Sequence, residues 1–474
     1  MQPDPTARPG VPACSPQHPG TSGRPAFSIR EPADVLAFIP HSLGFAPQES
    51  LVLLTMDANR LGATLRLDLP SSSADYSGYA ASVTRLLSSD ARADGVLMAL
   101  YTEAPWQRPD KPPYRRLVAR LGKALGDAGM PVREGWLVSS LTWREYFCAD
   151  VACCPWPGHP RGEISDSALS AELVYRGSAF APTLAAAVDS SLPVSWPEPE
   201  RTAAHREVFA RRVKDRWCNG RQFAATLACW DRFVADAAAG RPGHGYPALR
   251  NEPEAAGFLL ASLRDRTVRD ALLVQAALGN RHALAGAADC GMLTSGATEG
   301  TVDRAGDLLP PVPPSTAPLR RQPAVRAPLL PASPADGDFD AAGLSVWAEV
   351  AALSALERRD LSEDFRAVLT GQLGAAPDWN RMDAACGVFT ELLAVAGGED
   401  AAALLSLLAW IEWARGRGSR AQVFLDRCLA DSPGYRLAEL LRDLLGTGVL
   451  PVWARTGATA WKGESERIAG SVRP

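Results

Sequence analysis

The sequence is poor in lysine and has no long apolar run. Its longest apolar stretch, Leu404–Ile411, falls well short of the roughly twenty residues that a membrane-spanning helix requires. The first residues contain neither a basic segment nor an apolar core, so we expect no secretory signal. The net charge of -4 gives no reason to expect nucleic-acid binding, which needs concentrated positive charge. These absences predict a cytoplasmic protein with no membrane span and no nucleic-acid partner.

Four common active-site motifs are also missing. The chain has no GxxxxGK[ST] phosphate loop, no GxGxxG after a strand, no HExxH and no GxSxG nucleophile elbow. We therefore expect no cofactor. The missing motifs favour a protein that is not an enzyme, without excluding catalysis.

Arginine replaces the scarce lysine, which is typical of a GC-rich genome, although an arginine-lined anion-binding surface would have the same composition.

Composition divides the 474 residues into segments of different character. Proline-rich, aperiodic stretches cannot bury enough apolar surface to fold, whereas periodic apolar stretches can. The predicted segments are a disordered tail (1–26), an α/β domain (27–190), a helical region (200–285), a proline-rich linker (291–337), a helical C-terminal domain (339–454) and a frayed tail (455–474).

The α/β domain is predicted from two apolar runs near its start. Leu51–Met56 is continuously apolar, as in a strand covered on both faces, whereas Leu61–Leu69 alternates, with its leucines and Ala63 expected on one face. The turn residues between the two runs predict a hairpin. A short helix over 34–39, ended by Pro40, precedes the hairpin. Alternating helix and strand patterns extend the order to ββαβαβ, which predicts a layered α/β fold with a mixed sheet.

The rest of the chain has helical periodicity. Arg206–Asp236 is predicted to form one long amphipathic helix. Near the end, LAWIEWARGRGSRAQVFLDRCLADSPGY is similar to a tetratricopeptide helical hairpin, but solenoids need about three such units for stability. We therefore expect a helical bundle docked on the α/β domain, with a protein partner bound through the C-terminal helical domain.

The densest group of reactive side chains lies in WREYFCADVACCPWPG and the histidine after it. Thiolate and imidazole ligands at this spacing suit zinc, and Cys148, Cys153 and His159 are the candidate ligands. Adjacent Cys153 and Cys154 are expected to point apart, however, and no second cysteine pair lies nearby. We favour small buried thiols in a tight loop that also holds Asp150. A redox role and a metal site remain as alternatives.

A second candidate surface lies on the second predicted strand. Arg66 and Asp68 are two residues apart and so share one side of the strand near its carboxyl end, where open α/β sheets offer ligand crevices. A solvated or mutually paired strand end would have the same sequence. His41 lies in the preceding segment, where a hydrogen-bonded structural histidine is the simpler interpretation.

Four parts of the chain carry a family resemblance: FIPHSLGFAPQESLVLLTM with GATLRLDLP, WREYFCADVACCPWPG, LRDRTVRDALL and LLAWIEWARGRGSRAQVFLDRCLADSPGYRLAELL. They resemble the actinobacterial domain of unknown function 4192, and the resemblance spans nearly everything from Phe27 to Pro451 apart from the linker. It implies a soluble actinobacterial protein without an assigned activity, marks the cysteine segment and the Arg66/Asp68 strand as family features, and names no catalytic residue.

The sequence therefore favours a non-enzymatic interaction or regulatory protein, in which an α/β core carries a helical partner-binding domain. The alternative is a small-molecule binding protein or enzyme with a crevice near Arg66, Asp68, His41 and the Cys148–Cys154 segment. The alternative requires these residues to converge in one pocket.

Overall fold

The computed structural model describes residues 29–463, with gaps at 71, 73–74, 109, 193–194, 241–244, 295–347 and 351. The predicted tail over 1–26 and nearly all of the predicted linker over 291–337 lie outside the described residues.

The N-terminal part is an α/β domain built on a single mixed sheet. The strands are β1 (Ser50–Asp57), β2 (Arg60–Asp68), β3 (Gly95–Tyr101), β4 (Val132–Val138), β5 (Thr142–Glu145) and β6 (His159–Pro160). The helices of this part are α1 (Pro32–Leu43), α2 (Tyr76–Leu87), α3 (Arg115–Asp127), α4 (Gly162–Ser165), α5 (Ala168–Tyr175) and α6 (Leu184–Asp189).

The strands lie in the order β2-β1-β3-β4-β5-β6. The β3–β4 pair is parallel and every other pair is antiparallel, so the predicted mixed sheet is confirmed. The two leucine-rich runs form the predicted hairpin, with Leu53 opposite Leu65. β1 and β3 are central and almost wholly buried, because helices cover both faces of the sheet. Leu53 and Met98 pack beneath α2 and α3, whereas Val52 and Ala99 pack beneath α1.

Two details of the hairpin region differ from the predictions. The first helix does not end at Pro40 but continues to Leu43. Gly44 ends it instead, because its left-handed backbone (φ 79°) allows its N–H to donate to the Pro40 carbonyl at 2.8 Å. The single apolar face predicted for β2 is also wrong. A shift of register between Leu54 and Met56 places Leu61 on the α1 side, although Leu65 lies on the α2 side.

Two strands were missed by the sequence. The strand predicted over 132–141 ends at Val138, and a tight turn leads into β5, which pairs with β4. The two-residue β6 then pairs with β5. Strands this short carry too few residues for an alternating apolar pattern, so periodicity could not reveal them.

The remaining described residues are helical. The helices are α7 (Pro199–Val213), α8 (Gly220–Ala238), α9 (Tyr246–Asn251), α10 (Pro253–Ser262), α11 (Arg266–Leu278), α12 (Asn280–Asp289), α13 (Ala355–Leu369), α14 (Trp379–Leu393), α15 (Glu399–Ala414), α16 (Gly418–Asp431) and α17 (Arg436–Gly446). The single long helix predicted over 206–236 is wrong, because the chain breaks at Lys214, where φ is 40°. Asn219 then caps α8 by accepting from the N–H groups of Arg221 and Gln222.

One hydrophobic core runs through this helical part from Val188 to Trp453. It joins helices on both sides of the 295–347 gap, since α12 packs on α13 and α8 packs on α14. Within it, α15 is buried on all sides from Ala402 to Ala414. None of the described helices combines the length and the apolar character needed to cross a bilayer.

The helical part is docked on the α/β domain through arginine contacts. Arg85 Nη2 donates to the Thr447 carbonyl at 2.7 Å, and Arg427 pairs with Asp189 of α6. At the C-terminal end, the prediction of a frayed tail is wrong for residues 455–463. Trp461 Nε1 donates to Asp383 at 3.0 Å, and its ring lies against neighbouring guanidinium groups. Residues 464–474 lie outside the described part of the chain.

Candidate functional site

The cysteine-rich segment forms the connection between β5 and β6 at one edge of the sheet. We call residues 146–158 the cysteine loop. Antiparallel pairing of Trp143 with His159 closes its base, and the His159 ring stacks on the Trp143 indole at a centroid distance of 4.5 Å. The short strands thus bring together the two ends of the loop.

Arg144 of β5 holds the interior of the loop. Its guanidinium donates to the Cys148 carbonyl at 3.4 Å and to the Pro155 carbonyl at 2.9 Å, so that it ties together both sides of the loop. It also lies near the rings of Trp106 and Trp156, at 5.4 and 5.5 Å from their centroids. The residue is only 4% exposed. Charge-assisted hydrogen bonds and cation–π contacts are strongest when they are desolvated, so Arg144 is a major organiser of the loop.

Three thiols converge in this loop. The Sγ atoms of Cys148, Cys153 and Cys154 all lie within 4.8 Å of one another, and those of Cys153 and Cys154 are 3.9 Å apart. The expected divergence of the adjacent cysteines is therefore not observed. Cys154 is buried, Cys148 is half-buried and Cys153 is exposed, so the group opens to solvent on the Cys153 side.

Asp150 and His159 support the loop without joining the thiol group. Asp150 accepts the Cys154 N–H on its carbonyl at 2.8 Å and the Ala152 N–H on its carboxylate at 2.9 Å. The His159 ring contacts the Cys153 carbonyl through Nε2 at 3.0 Å and Glu163 through Nδ1 at 3.4 Å. Both ring nitrogens are therefore engaged. The third member of the group is therefore Cys154, which the sequence did not favour as a ligand, and not His159.

Burial raises the pKa of the Cys154 thiol to about 12. Hydrogen bonds with the Cys148 and Cys153 thiols add to this rise, and one from the Glu145 backbone opposes it. Reactive cysteines have a lowered pKa, since the thiolate is the nucleophile. The raised pKa of Cys154 therefore disfavours its thiolate, which is the nucleophilic form.

Arg66 and Asp68 form an ion pair of 2.6 Å on β2. Arg66 is largely buried and also donates to Ser50 Oγ at 2.9 Å and to Ser419 Oγ of α16 at 3.3 Å. It therefore joins the sheet to the helical part. A side chain with all of these contacts has little capacity left for a ligand.

His41 lies in the last turn of α1. Its Nδ1 is 2.9 Å from Ser178 Oγ, and its ring meets the edge of Phe180. Burial lowers the pKa of His41, which favours the neutral imidazole. These contacts are those of a structural histidine.

The crevice of the alternative hypothesis requires Arg66 and the cysteine loop to meet. In the sheet, β2 and β5 are separated by four strand-to-strand steps, or about 19 Å at the usual spacing. The two candidate surfaces are thus at opposite edges of the sheet. Only the cysteine loop brings several of the candidate residues together.

The sequence did not single out Arg144 and Trp106, the residues that organise this loop. The aromatic side chains around Arg144 in WREYF were the available signal, because a guanidinium among aromatic rings is a common buried arrangement. Trp106 stands in a proline-rich stretch far from the loop in sequence, and no local pattern connects the two.

The fold and the site define a class of protein: a mixed-sheet α/β domain with a three-thiol edge loop, joined to an all-helical body. The chain belongs to the family described as the domain of unknown function DUF4192, whose profile matches residues 32–288 and 334–452. This confirms the resemblance found in the sequence. No curated protein and no solved structure matches the chain.

Proposed function

We propose that this protein is a non-enzymatic interaction or regulatory protein. Its partner is another protein that carries an apolar segment, and the binding surface surrounds the cysteine loop. The observation that carries this proposal is the distribution of exposed apolar side chains.

Seven of the ten large apolar side chains that are exposed among the described residues fall between positions 141 and 180. Isolated exposed apolar residues are ordinary on protein surfaces, whereas several on one loop are typical of interaction sites, and three of the seven belong to the cysteine loop. The seven are Leu141, Phe147, Val151, Trp156, Val174, Tyr175 and Phe180.

Phe147, Val151 and Trp156 belong to the cysteine loop itself. Phe147 is 54% exposed and Val151 is 70% exposed, although hydrogen bonds from Arg144 tie the two sides of the loop together. A preorganised apolar surface loses little conformational entropy on binding. Exposed apolar groups on a fixed loop therefore favour recognition over folding as their role.

An open groove of about 490 Å³ adjoins Phe147. Asp110 and Arg115 place one acidic and one basic group on a wall that is otherwise largely apolar. An amphipathic peptide segment, with an apolar side chain and flanking charges, suits such a wall.

The C-terminal helical domain, where the sequence placed the partner, offers fewer exposed apolar groups. Among its described residues, Leu356 and Leu440 are the large apolar side chains that are exposed. The central helix α15 is enclosed and leaves no free concave face of the kind that tetratricopeptide arrays use. This contrast favours the cysteine loop.

The test compares two double variants of the full chain as baits in extracts of the native host. Phe147→Ser with Val151→Ser removes two exposed apolar groups from the loop. Val208→Ser with Leu440→Ser removes two from elsewhere and is the matched control. Hot-spot residues cost about 2 kcal/mol or more each, so recovery of the partner should fall more than tenfold with the loop variant alone.

Circular dichroism and thermal unfolding establish that both variants keep the native fold. The partner is then purified, and its affinity for each variant is measured by calorimetry. Equal recovery by the loop and control variants would overturn the proposal. So would a wild-type bait that retains no protein above background.

A further inference from the structure

We propose that Cys148, Cys153 and Cys154 bind one Zn²⁺ ion through three thiolates, with the fourth coordination position open to solvent. This inference concerns the interior of the cysteine loop and does not depend on the proposed protein partner.

The distances between the sulfur atoms suit a tetrahedral ion. With Zn–S bonds of about 2.3 Å, two thiolates on one tetrahedral zinc lie about 3.8 Å apart. The observed separation of Cys153 and Cys154 Sγ is 3.9 Å, and the whole group fits within 4.8 Å. A shift of less than about 1 Å in one side chain would complete the geometry, which is within the reach of rotamer adjustment.

The donor set selects the metal. Three soft sulfur ligands suit zinc or another thiophilic ion, whereas Mg²⁺ and Ca²⁺ prefer oxygen. Within the described parts of the chain, this is the one group of three or more metal-ligating side chains that share such a small volume. Five further cysteines among the described residues lie outside the group: Cys218, Cys229, Cys290, Cys386 and Cys428.

Arg144 supplies the charge that such a centre needs. Its guanidinium is buried directly behind the loop, and no carboxylate among the described residues lies within ion-pair distance of it. Its Nε is buried and has no hydrogen-bond partner. A buried cation is destabilising unless an anion lies nearby. Zn²⁺ with three thiolates carries one negative charge, which the guanidinium balances.

The surroundings satisfy the other requirements of a metal site. Arg144, Asp150 and His159 all bond to backbone groups of the loop and fix the positions from which the cysteines project. Cys153 is exposed and provides a path for the ion. On binding, three Zn–S bonds form, the three thiol protons pass to the solvent, and zinc releases bound water without any change of oxidation state.

The experiment uses the full-length chain, purified with a reductant and titrated with Zn²⁺ against a chromophoric chelator. We expect one zinc per chain by elemental analysis. Substitution with Co²⁺ should give near-ultraviolet absorption from thiolate-to-metal charge transfer. In Cys153→Ser the thiol removed is the exposed one, so the fold should be preserved. Loss of a ligand should weaken zinc binding at least as much as loss of an outer-shell partner, about 10–100-fold.

Cys290→Ser is the matched control, since it removes a half-buried cysteine outside the group and should leave zinc affinity unchanged. Equal zinc affinity for wild type, Cys153→Ser and Cys290→Ser would overturn the inference, as would a cobalt spectrum without thiolate absorption. Because this experiment measures metal affinity, a negative result would overturn the zinc site without bearing on the proposed protein partner.

Discussion

Arg144 differs from the other buried arginines in how its charge is accommodated. In the helical part, Arg415 is 8% exposed in its side chain and pairs with both Asp383 and Glu412. Arg144 instead relies on two backbone carbonyls and two indole rings. Carbonyl dipoles and ring faces stabilise a cation less completely than a carboxylate does. The loop geometry therefore depends on the planar shape of this one side chain.

Replacement of Arg144 by lysine tests this dependence. Lysine keeps the charge but lacks the planar fork that donates to both carbonyls and lies near both indole rings. One lost charge-assisted hydrogen bond is worth about 1.5–3 kcal/mol, so the variant should unfold in denaturant with a free energy lower by on the order of 2 kcal/mol. Amide hydrogen exchange should also become faster in the cysteine loop.

Arg108→Lys is the control for this comparison, because Arg108 forms an exposed ion pair with Asp110. Its effect should stay within about 0.5 kcal/mol. Equal effects of the two substitutions would contradict a special role for Arg144.

The burial of Glu254 predicts how the stability of the protein depends on pH. Burial raises the pKa of its carboxyl to about 7, and the charge of Arg212 only partly opposes this. Between pH 4.5 and pH 7, the Glu254 carboxyl is therefore protonated in the folded state but ionised in the unfolded state, where its pKa is the ordinary 4.5. The contribution of this proton to stability is complete below pH 4.5 and is lost as the pH rises from there through 7.

Glu254→Gln removes this titration. The variant and the wild type should have similar stability at pH 4, and the variant should be the more stable at pH 8.5 by on the order of 1–3 kcal/mol. Denaturant unfolding across this pH range measures the difference. Parallel curves for the two proteins would show that Glu254 is not buried as described.

The sequence could identify the candidate residues but not their geometry. The spacing of Cys148, Cys153 and Cys154 was visible, but their convergence depends on the fold of the loop, in which Arg144 donates to a carbonyl on each side. The meeting of Trp106 with Arg144 joins residues 38 positions apart. Contacts of this kind depend on tertiary packing, which local patterns do not encode.

At the scale of single elements, the sequence predicted best those elements whose residues are apolar and buried along their whole length. The central strands β1 and β3 were located almost residue for residue, because they are apolar throughout. The break between α7 and α8 was missed, because apolar spacing continues on both sides of Lys214. Two helices whose apolar faces belong to the same core look like one helix in the sequence.

The crossing of α12 and α13 supplies a prediction at this scale. Gly286 lies in the middle of α12, and a Cβ atom there would overlap Phe365 of α13. Gly286→Ala should therefore lower the free energy of unfolding by about 1–3 kcal/mol, although alanine is the better helix former. Thermal and denaturant unfolding measure the change.

Gly122→Ala is the matched control. Gly122 lies inside α3 with open space at its Cβ position, so alanine should stabilise the protein there by about 0.5–1 kcal/mol. The opposite signs expected at the two glycines separate helix propensity from close packing. The same sign at both would contradict the described contact between α12 and α13.

For the whole molecule, composition predicts how the chain divides into segments. What composition did not reveal is that the helices before and after the 295–347 gap form one core. Val268 of α11 and Val388 of α14 belong to the same buried cluster, although 120 positions separate them. Association over such distances is set by surface complementarity in the folded state, which no local pattern reports.

This shared core predicts that the chain will assemble from two pieces. Residues 1–320 and 321–474, produced together as separate polypeptides with a tag on one, should co-purify at equal amounts. A buried apolar core of this kind resembles an obligate interface, which holds its subunits together without a covalent link. Light scattering should give the mass of the intact chain. Independent elution of the two pieces would contradict a common core.

The packing of α12 directly on α13 has a consequence for how this protein can vary. The contact is made by side chains of the two helices themselves, so it does not require α12 and α13 to be close together along the polypeptide. Evolution could therefore move α13 to another place in the chain order and keep the same contact, provided that the two apolar faces still meet.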